Sequence, residues 1–109
     1  MIADDDVEKA LHYLAGNARK AAQARADRIY VEEFRKVLKA QIMKERAEET
    51  LGAQERDAYS DPRYLKHLEA IRDAVRDDEY HRFMRATAEA KIEAWRSQEA
   101  TRRAEGKMQ

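Results

Sequence analysis

Apolar residues recur every three or four positions along two long stretches of the chain, on either side of one short break. The first stretch begins at Val7, and the second ends at Trp95. Steps of three and four are the period of an α-helix that buries one face. The pattern therefore predicts two long helices, over about residues 4–51 and about residues 62–105, joined by a connector over residues 52–61.

Local signals mark the ends of these helices. The run Asp4–Asp6 supplies carboxylates for the free N–H groups at the start of the first helix, and Gly52 is expected to end it in a left-handed conformation. Asp61 followed by Pro62 predicts a new helix start, because a proline at the first helical position lacks only an N–H group that has no partner there. Residues 53–59 are long enough to form a short helix of their own within the connector.

Two helices of near-equal length across a short connector predict an antiparallel hairpin. A turn centred near Arg56 places Leu38 beside Val75 and Ile42 beside Ile71, so that large side chains face large ones. The same register sets alanines against alanines, with Ala18, Ala21 and Ala22 near Ala94, Ala90 and Ala88. It also sets one ring against another, with Tyr30 near Phe83.

The composition agrees with an all-α, coiled-coil-like chain and adds one expectation. Gly (3) and Pro (1) are scarce and 40% of the residues are charged, which is typical of long helices. Two isolated helices leave much of their apolar surface in water. We therefore expect a single helical domain over residues 1–109 that dimerises into a four-helix arrangement. A different protein, or the short connector helix folded back, is the alternative cover.

The sequence offers little for catalysis. It has no cysteine, no glycine-rich phosphate loop and no serine with a recognisable base. Asp78 and His81 stand three residues apart, and a surface pair is favoured over a weak metal site. The acidic N-terminus lacks the pattern of a secretory signal, and no apolar run approaches the roughly 20 residues of a membrane span. We expect a cytoplasmic protein that is not an enzyme, with no catalytic residue, no cofactor, no metal and no membrane partner.

Charge is balanced overall but unevenly distributed. The chain carries 22 basic and 22 acidic residues, yet residues 17–28 and 82–103 together hold ten basic and four acidic ones. Arginine contacts phosphate in a bidentate manner, and Trp95 beside Arg96 can stack an unpaired base. The residues predicted to bind nucleic acid or a partner are Arg19, Lys20, Arg25, Arg28, Arg82, Arg85, Trp95, Arg96, Arg102 and Arg103.

A second interpretation of the same residues stays open. The acidic connector side, residues 44–61, carries three basic and six acidic residues, so opposite ends of two subunits could pair head to tail. Trp95 and the tyrosines would then be core or dimer contacts. Under this interpretation the charges serve solubility and assembly, and nucleic acid has no part.

Four blocks carry a resemblance to a known group of proteins. They are R-I-Y-V-E-E-F-R-K at residues 28–36, K-A-Q-I-M at 39–43, A-Q-E-R-D-A-Y-S-D-P-R-Y at 53–64, and A-K-I-E-A-W-R-S-Q-E-A at 90–100. This arrangement, over residues 28 to about 103, resembles small uncharacterised helical proteins of tailed bacteriophages and prophages, often encoded near recombination genes. The resemblance implies a phage setting, hence the host cell cytoplasm, and supplies no catalytic residue.

Two functions of different classes follow from these observations. The first is a non-enzymatic accessory protein of phage DNA recombination or replication, which binds single-stranded DNA or a recombination protein through its Arg-rich end. The second is a structural or adaptor coiled coil that binds only protein, such as a host-factor antagonist. Salt-dependent binding to single-stranded DNA distinguishes the first from the second.

Overall fold

Three α-helices make up the described part of the protein. In the computed structural model, which describes residues 1–108, the helices are α1 (Asp4–Lys44), α2 (Leu51–Ser60) and α3 (Pro62–Met108). No strand occurs within the described residues, so the all-α prediction is confirmed. The first helix ends earlier than expected, and α2 fills most of the connector.

The contacts divide the chain into two compact units. Unit 1 consists of Met1–Ala22 together with the described part of Tyr80–Gln109, and unit 2 consists of Gln23–Glu79. Each unit therefore contains one segment of α1 and one segment of α3, and α2 belongs to unit 2.

Polar contacts show that the two segments of unit 1 run antiparallel. The backbone N–H of Ile2 donates to Oε1 of Gln98 (2.9 Å), and Nε2 of Gln98 donates to the carbonyl of Ile2 (2.8 Å). Two residues further along the chain, Oδ1 of Asp4 accepts from Nε1 of Trp95 (2.8 Å). A later residue of the first segment thus meets an earlier residue of α3, as an antiparallel pair requires.

Small side chains form the seam of unit 1. Val7, Ala10 and Ala88 are buried, and the half-buried Leu14 and Asn17 continue the series from Val7 in steps of three and four. This is the heptad spacing of a coiled coil, in which small residues let the helix axes approach closely.

The alanine pairing expected from the sequence is mostly wrong. Four of the six alanines predicted to face one another, Ala18, Ala22, Ala90 and Ala94, are exposed. They belong to the apolar stripe of their helices but lie beside the seam, because the buried series follows the heptad through Ala10 and Ala88.

Unit 2 holds the largest fully buried side chain among residues 1–108. Ile42 is 0% exposed and packs with Ala58 of α2 and Tyr64 of α3, while Leu38 and Met43 cover this cluster. One residue of α1 therefore ties together all three helices.

Unit 2 is also antiparallel, but its register differs from the predicted one. Phe34 lies against His67 (ring centroids 5.5 Å apart), and Arg28 binds Asp78 further along α3. Ile42 packs against Tyr64 rather than beside Ile71, a displacement of more than one helical turn. The reason is that the connector is not a symmetric elbow, since α1 ends at Lys44 and α2 occupies the space assumed for a tight turn.

The ends of α2 and α3 show which sequence signals were correct. Thr50 caps α2, because its side chain accepts from the N–H of Ala53 (3.2 Å). Gly52 lies in the first turn of α2, and no described glycine has a positive φ, so its predicted role as a left-handed helix end is wrong. Asp61 caps α3, and Pro62 is its first residue, as predicted.

Candidate functional site

The residues predicted to bind nucleic acid or a partner divide between the two units. Arg25 and Arg28 belong to unit 2. The other eight belong to unit 1: Arg19, Lys20, Arg82, Arg85, Trp95, Arg96, Arg102 and Arg103. Unit 1 carries ten basic and eight acidic residues, because its first helical turn contributes Asp4–Asp6. Its positive charge is therefore local, concentrated on α3.

Arg28 has a structural partner set. Its Nε donates to Oε1 of Glu32 (3.0 Å), and its Nη1 donates to Asp78 and Glu79 of α3 (3.2 Å each). These hydrogen bonds, with Glu32 the largest contributor, raise the pKa of Arg28 above its ordinary value. A guanidinium that neutralises three carboxylates at the seam of unit 2 joins α1 to α3, and it has little left for a ligand.

Trp95 lines an open cleft of about 470 Å³ in unit 1. Its walls include Arg96, Arg103 and Ala100, together with Glu93, Ser97 and Glu99. The bond from the indole Nε1 to Asp4 fixes the ring at one edge. An aromatic ring that shares a cleft with two guanidinium groups can hold a base and its phosphates.

Two of the predicted arginines of α3, Arg96 and Arg102, already have carboxylate partners. Nη1 of Arg96 lies 2.9 Å from Glu93, and Nη1 of Arg102 lies 2.9 Å from Glu99. Both pairs join residues three apart on one helix. The Glu99 side chain is half-buried, but the Arg96–Glu93 pair is exposed, and exposed pairs of this kind contribute little to stability. An incoming phosphate can therefore replace the carboxylate at modest cost.

The other predicted residues of unit 1 and Arg25 have different surroundings. Arg82 lies over the ring of Phe83, with its guanidinium carbon 5.6 Å from the ring centroid. The remaining five are exposed and make no ion pair within residues 1–108: Arg19, Lys20, Arg25, Arg85 and Arg103.

The histidine His67 and the carboxylate Asp78 both have structural roles. His67 places its Nε2 2.6 Å from the carbonyl of Val31 and its ring against Phe34, so it belongs to the seam of unit 2. Asp78 binds Arg28. Within residues 1–108, no group of three or more His, Asp or Glu side chains is arranged to hold a metal ion.

One acidic pair in unit 2 has an unusual setting. The neighbouring Asp57 carboxyl group, together with partial burial, raises the pKa of the Glu49 carboxyl. Arg46 lies beside both carboxyl groups, at 3.7 Å and 3.9 Å. The pair links the segment before α2 to α2 itself.

Asp61 is the polar centre of the junction between α2 and α3. Its Oδ1 accepts from the backbone N–H of Arg63 (2.8 Å) and from Nε of Arg63 (3.1 Å). Arg63 also binds Glu45 beyond the end of α1. The Arg63 guanidinium and backbone N–H hold the pKa of Asp61 below its ordinary value.

This depressed pKa predicts acid sensitivity. Because the folded-state pKa lies below the unfolded value of about 4, the stabilisation is complete above that value and is lost as the pH falls through the folded-state pKa. Asp61→Asn is expected to melt at a lower temperature than the natural protein at neutral pH. This gap in melting temperature is expected to narrow toward pH 2. Thermal melts across this range measure the gap. Asp73→Asn, at an exposed position, serves as the control and should melt close to the natural protein at neutral pH.

Sequence reasoning missed a second cleft, in unit 2. It is lined by Arg35, Lys36, Lys39, Tyr59 and Tyr64, which come from all three helices. The spacing of Arg35 and Lys39, four residues apart on one helix face, was the available signal. The contribution of α2 could not be seen without its position.

No helix within residues 1–108 combines the length and apolar character needed to cross a membrane.

Comparisons with known proteins assign no relative to the chain. No protein-family model matches the chain, and neither the curated proteins nor the solved structures contain a match.

Proposed function

We propose that the protein is a non-catalytic binding protein that holds single-stranded DNA on the Arg-rich surface of unit 1. The observation that carries this proposal is the cleft of unit 1 that Trp95, Arg96 and Arg103 line together. Single-stranded nucleic acid is bound by such combinations, in which bases stack on aromatic rings and cations follow the backbone. The exposed Arg85, with no ion pair, extends the cationic surface along α3.

The proposed setting is DNA recombination or replication in a phage-infected or lysogenic cell. It rests on the resemblance of residues 28 to about 103 to phage-encoded helical proteins. In this setting the Arg-rich surface could equally meet an acidic face of a recombination protein, and the DNA titration below separates the two partners.

Binding to a fluorescently labelled single-stranded oligonucleotide, titrated across salt concentrations, tests the DNA proposal. Each phosphate contact adds a slope of about −0.7 to the plot of log affinity against log salt. The double variant Arg85→Glu/Arg103→Glu is expected to reduce affinity more than tenfold, since two cations become anions on the binding surface. No binding at low salt, or undiminished binding by this variant, would contradict the proposal.

A matched variant controls for net charge. Arg72→Glu/Arg76→Glu makes the same change of charge on α3 but lies in unit 2, at exposed positions. It is expected to bind much more tightly than the unit 1 variant. An equal loss would show that only the overall charge matters, and the cleft would then have no role.

Trp95 can be tested separately from the charges. Trp95→Phe keeps a ring for stacking but loses the indole donor to Asp4, whereas Trp95→Ala loses both. We expect about a tenfold loss of affinity for Trp95→Ala and a smaller loss for Trp95→Phe, because stacking on one base contributes about 1–3 kcal/mol. Equal affinities for all three proteins would exclude stacking.

We also propose that the protein self-associates into a dimer, in a four-helix arrangement. Large apolar side chains remain exposed in both units, among them Tyr30 at 68% and Phe83 at 63%. Tyr30 stacks on Phe34 (ring centroids 6.1 Å apart), which enlarges the apolar patch on α1. Light scattering should give about twice the chain mass of 12.7 kDa, and Tyr30→Glu should lower it. A mass of one chain at micromolar concentration would contradict the dimer.

The same exposed aromatic residues favour a second candidate function, that of an adaptor coiled coil that binds only protein. Exposed apolar patches of this kind mark surfaces that contact other proteins. A stoichiometric protein complex that survives nuclease treatment, together with no affinity for the oligonucleotide, would favour the adaptor over the DNA-binding protein.

A further inference from the structure

The cleft in unit 2 is lined by cations and hydroxyl groups from three helices. It has a volume of about 390 Å³ and is open on one side, with walls formed by Arg35, Lys36, Lys39, Tyr59 and Tyr64. No acidic side chain lines it. The first three residues come from α1, Tyr59 stands near the end of α2, and Tyr64 lies in the first turn of α3.

Lys39 and Tyr59 form the fixed wall of the cleft. Nζ of Lys39 donates to Oη of Tyr59 (2.7 Å) and to Oε1 of Glu55 (2.8 Å), and it lies 4.4 Å from the centroid of the Tyr59 ring. Lys39 and, to a smaller extent, the Tyr59 hydroxyl lower the pKa of the Glu55 carboxyl, so these three side chains form one polar cluster at this wall. Glu55 and Tyr59 also raise the pKa of Lys39, which keeps it charged.

Arg35 supplies uncommitted donors. It is exposed and makes no hydrogen bond or ion pair with any residue of 1–108. Lys36 is held only by Glu33, at 3.2 Å, and both side chains of that pair are largely exposed. The guanidinium presents a planar set of N–H donors that suits the oxygens of a phosphate.

The rings of Tyr59 and Tyr64 meet edge to face, with centroids 5.3 Å apart and planes at 86°. Tyr64 is buried in the cluster with Ile42, so this wall is anchored to the core of unit 2. Its position is set by the same packing that holds the three helices together. A cleft of this volume falls in the range of small-ligand sites.

We propose that this cleft binds a phosphate group, with Arg35 and Lys36 as cationic ligands beside the wall that Lys39 and Tyr59 form. A phosphate has several acceptor oxygens, which suits the guanidinium and ammonium donors that α1 supplies to this cleft. The site is distinct from the Trp95 surface, since its residues all belong to unit 2. Its existence does not depend on DNA binding by unit 1.

NMR titration of the labelled full-length protein tests the site. Inorganic phosphate and adenosine monophosphate are the probes, and sodium chloride of equal ionic strength is the reference. We expect saturable shifts of the Arg35 side-chain N–H signal and of the Tyr59 ring signals with both probes. Shifts no larger than those caused by sodium chloride would overturn the proposal.

Variants show whether the shifts come from the cleft. Arg35→Ala is expected to weaken phosphate binding about tenfold, because it removes the bidentate donor. Arg72→Ala removes an exposed arginine of α3 in the same unit and should leave binding unchanged. Circular dichroism confirms that each variant is folded. Equal affinity of Arg35→Ala and the natural protein would overturn the assignment.

A third probe identifies the source of the phosphate. A single-stranded oligonucleotide without terminal phosphates displaces adenosine monophosphate if the cleft accepts a nucleic-acid backbone. If it does not, the cleft takes a free phosphate ester, which is the smaller group. Either outcome is compatible with a phosphate site in unit 2. The displacement experiment uses the Arg85→Glu/Arg103→Glu variant, so that DNA binding by unit 1 does not contribute to the result.

Discussion

Replacing Ile42 with alanine is expected to lower the free energy of unfolding by about 3 kcal/mol. The side chain is the one large group that is fully buried among residues 1–108, and it touches Ala58 and Tyr64. Its truncation therefore leaves a cavity where all three helices meet, and the cost includes lost contacts as well as lost burial. Chemical denaturation followed by circular dichroism measures the change.

Ile29→Ala provides the matched control. It removes the same atoms from the same helix, but Ile29 is 50% exposed. We expect a loss below about 1 kcal/mol, as for most surface substitutions. Equal losses at the two positions would show that Ile42 does not occupy the core assigned to it.

Ala88→Asp is expected to have an effect of similar size in unit 1. Ala88 is buried in the seam with Val7 and Ala10, where small side chains leave no space for a carboxylate and provide no partner for its charge. Burying an unpaired carboxylate should lower the free energy of unfolding by about 3 kcal/mol. Denaturant titration at neutral pH tests this.

The comparison with Ala90→Asp isolates burial from helix propensity. Both substitutions place aspartate in the same part of α3, two residues apart, but Ala90 is exposed. The Ala90 variant should lose only the small propensity difference, about 0.5 kcal/mol. If Ala90→Asp proved the more damaging change, the seam would follow the alanine pairing expected from the sequence.

Local signals in the sequence were sufficient to predict the helices. Asp61 and Pro62 marked the start of α3, because a cap and a proline act through groups within a few residues of one another. The period of three and four identified both long helices. The predicted end of α1 was wrong, because Gly52, where the helix was expected to stop, does not adopt a left-handed conformation.

The register could not be predicted because it depends on contacts between distant residues. Leu11 and Val37 share the helical period but are largely exposed, whereas Asn17 and Arg28 lie nearer the seam. Polar residues are accepted there because they find partners: Asn17 donates to the carbonyl of Tyr13, and Arg28 binds carboxylates of α3. A single sequence does not show which partner will be present.

The candidate sites were predictable to different degrees. Trp95 and Arg96 are neighbours in the chain, so their shared cleft follows from sequence proximity. The hydrogen bond from Trp95 to Asp4 joins opposite ends of the chain and required the fold. The cleft of unit 2 depends on Tyr59, whose position is set by the packing of α2 against Ile42 through Ala58.

The central claim is that α1 and α3 pair antiparallel, with Ile42 against the first turn of α3. Nuclear Overhauser effects from the Ile42 methyl groups test it most directly. The structure requires contacts from these methyl groups to the Tyr64 ring and to the Ala58 methyl group. Contacts from Ile42 to Ile71, with none to Tyr64, would contradict the register and the sites built on it.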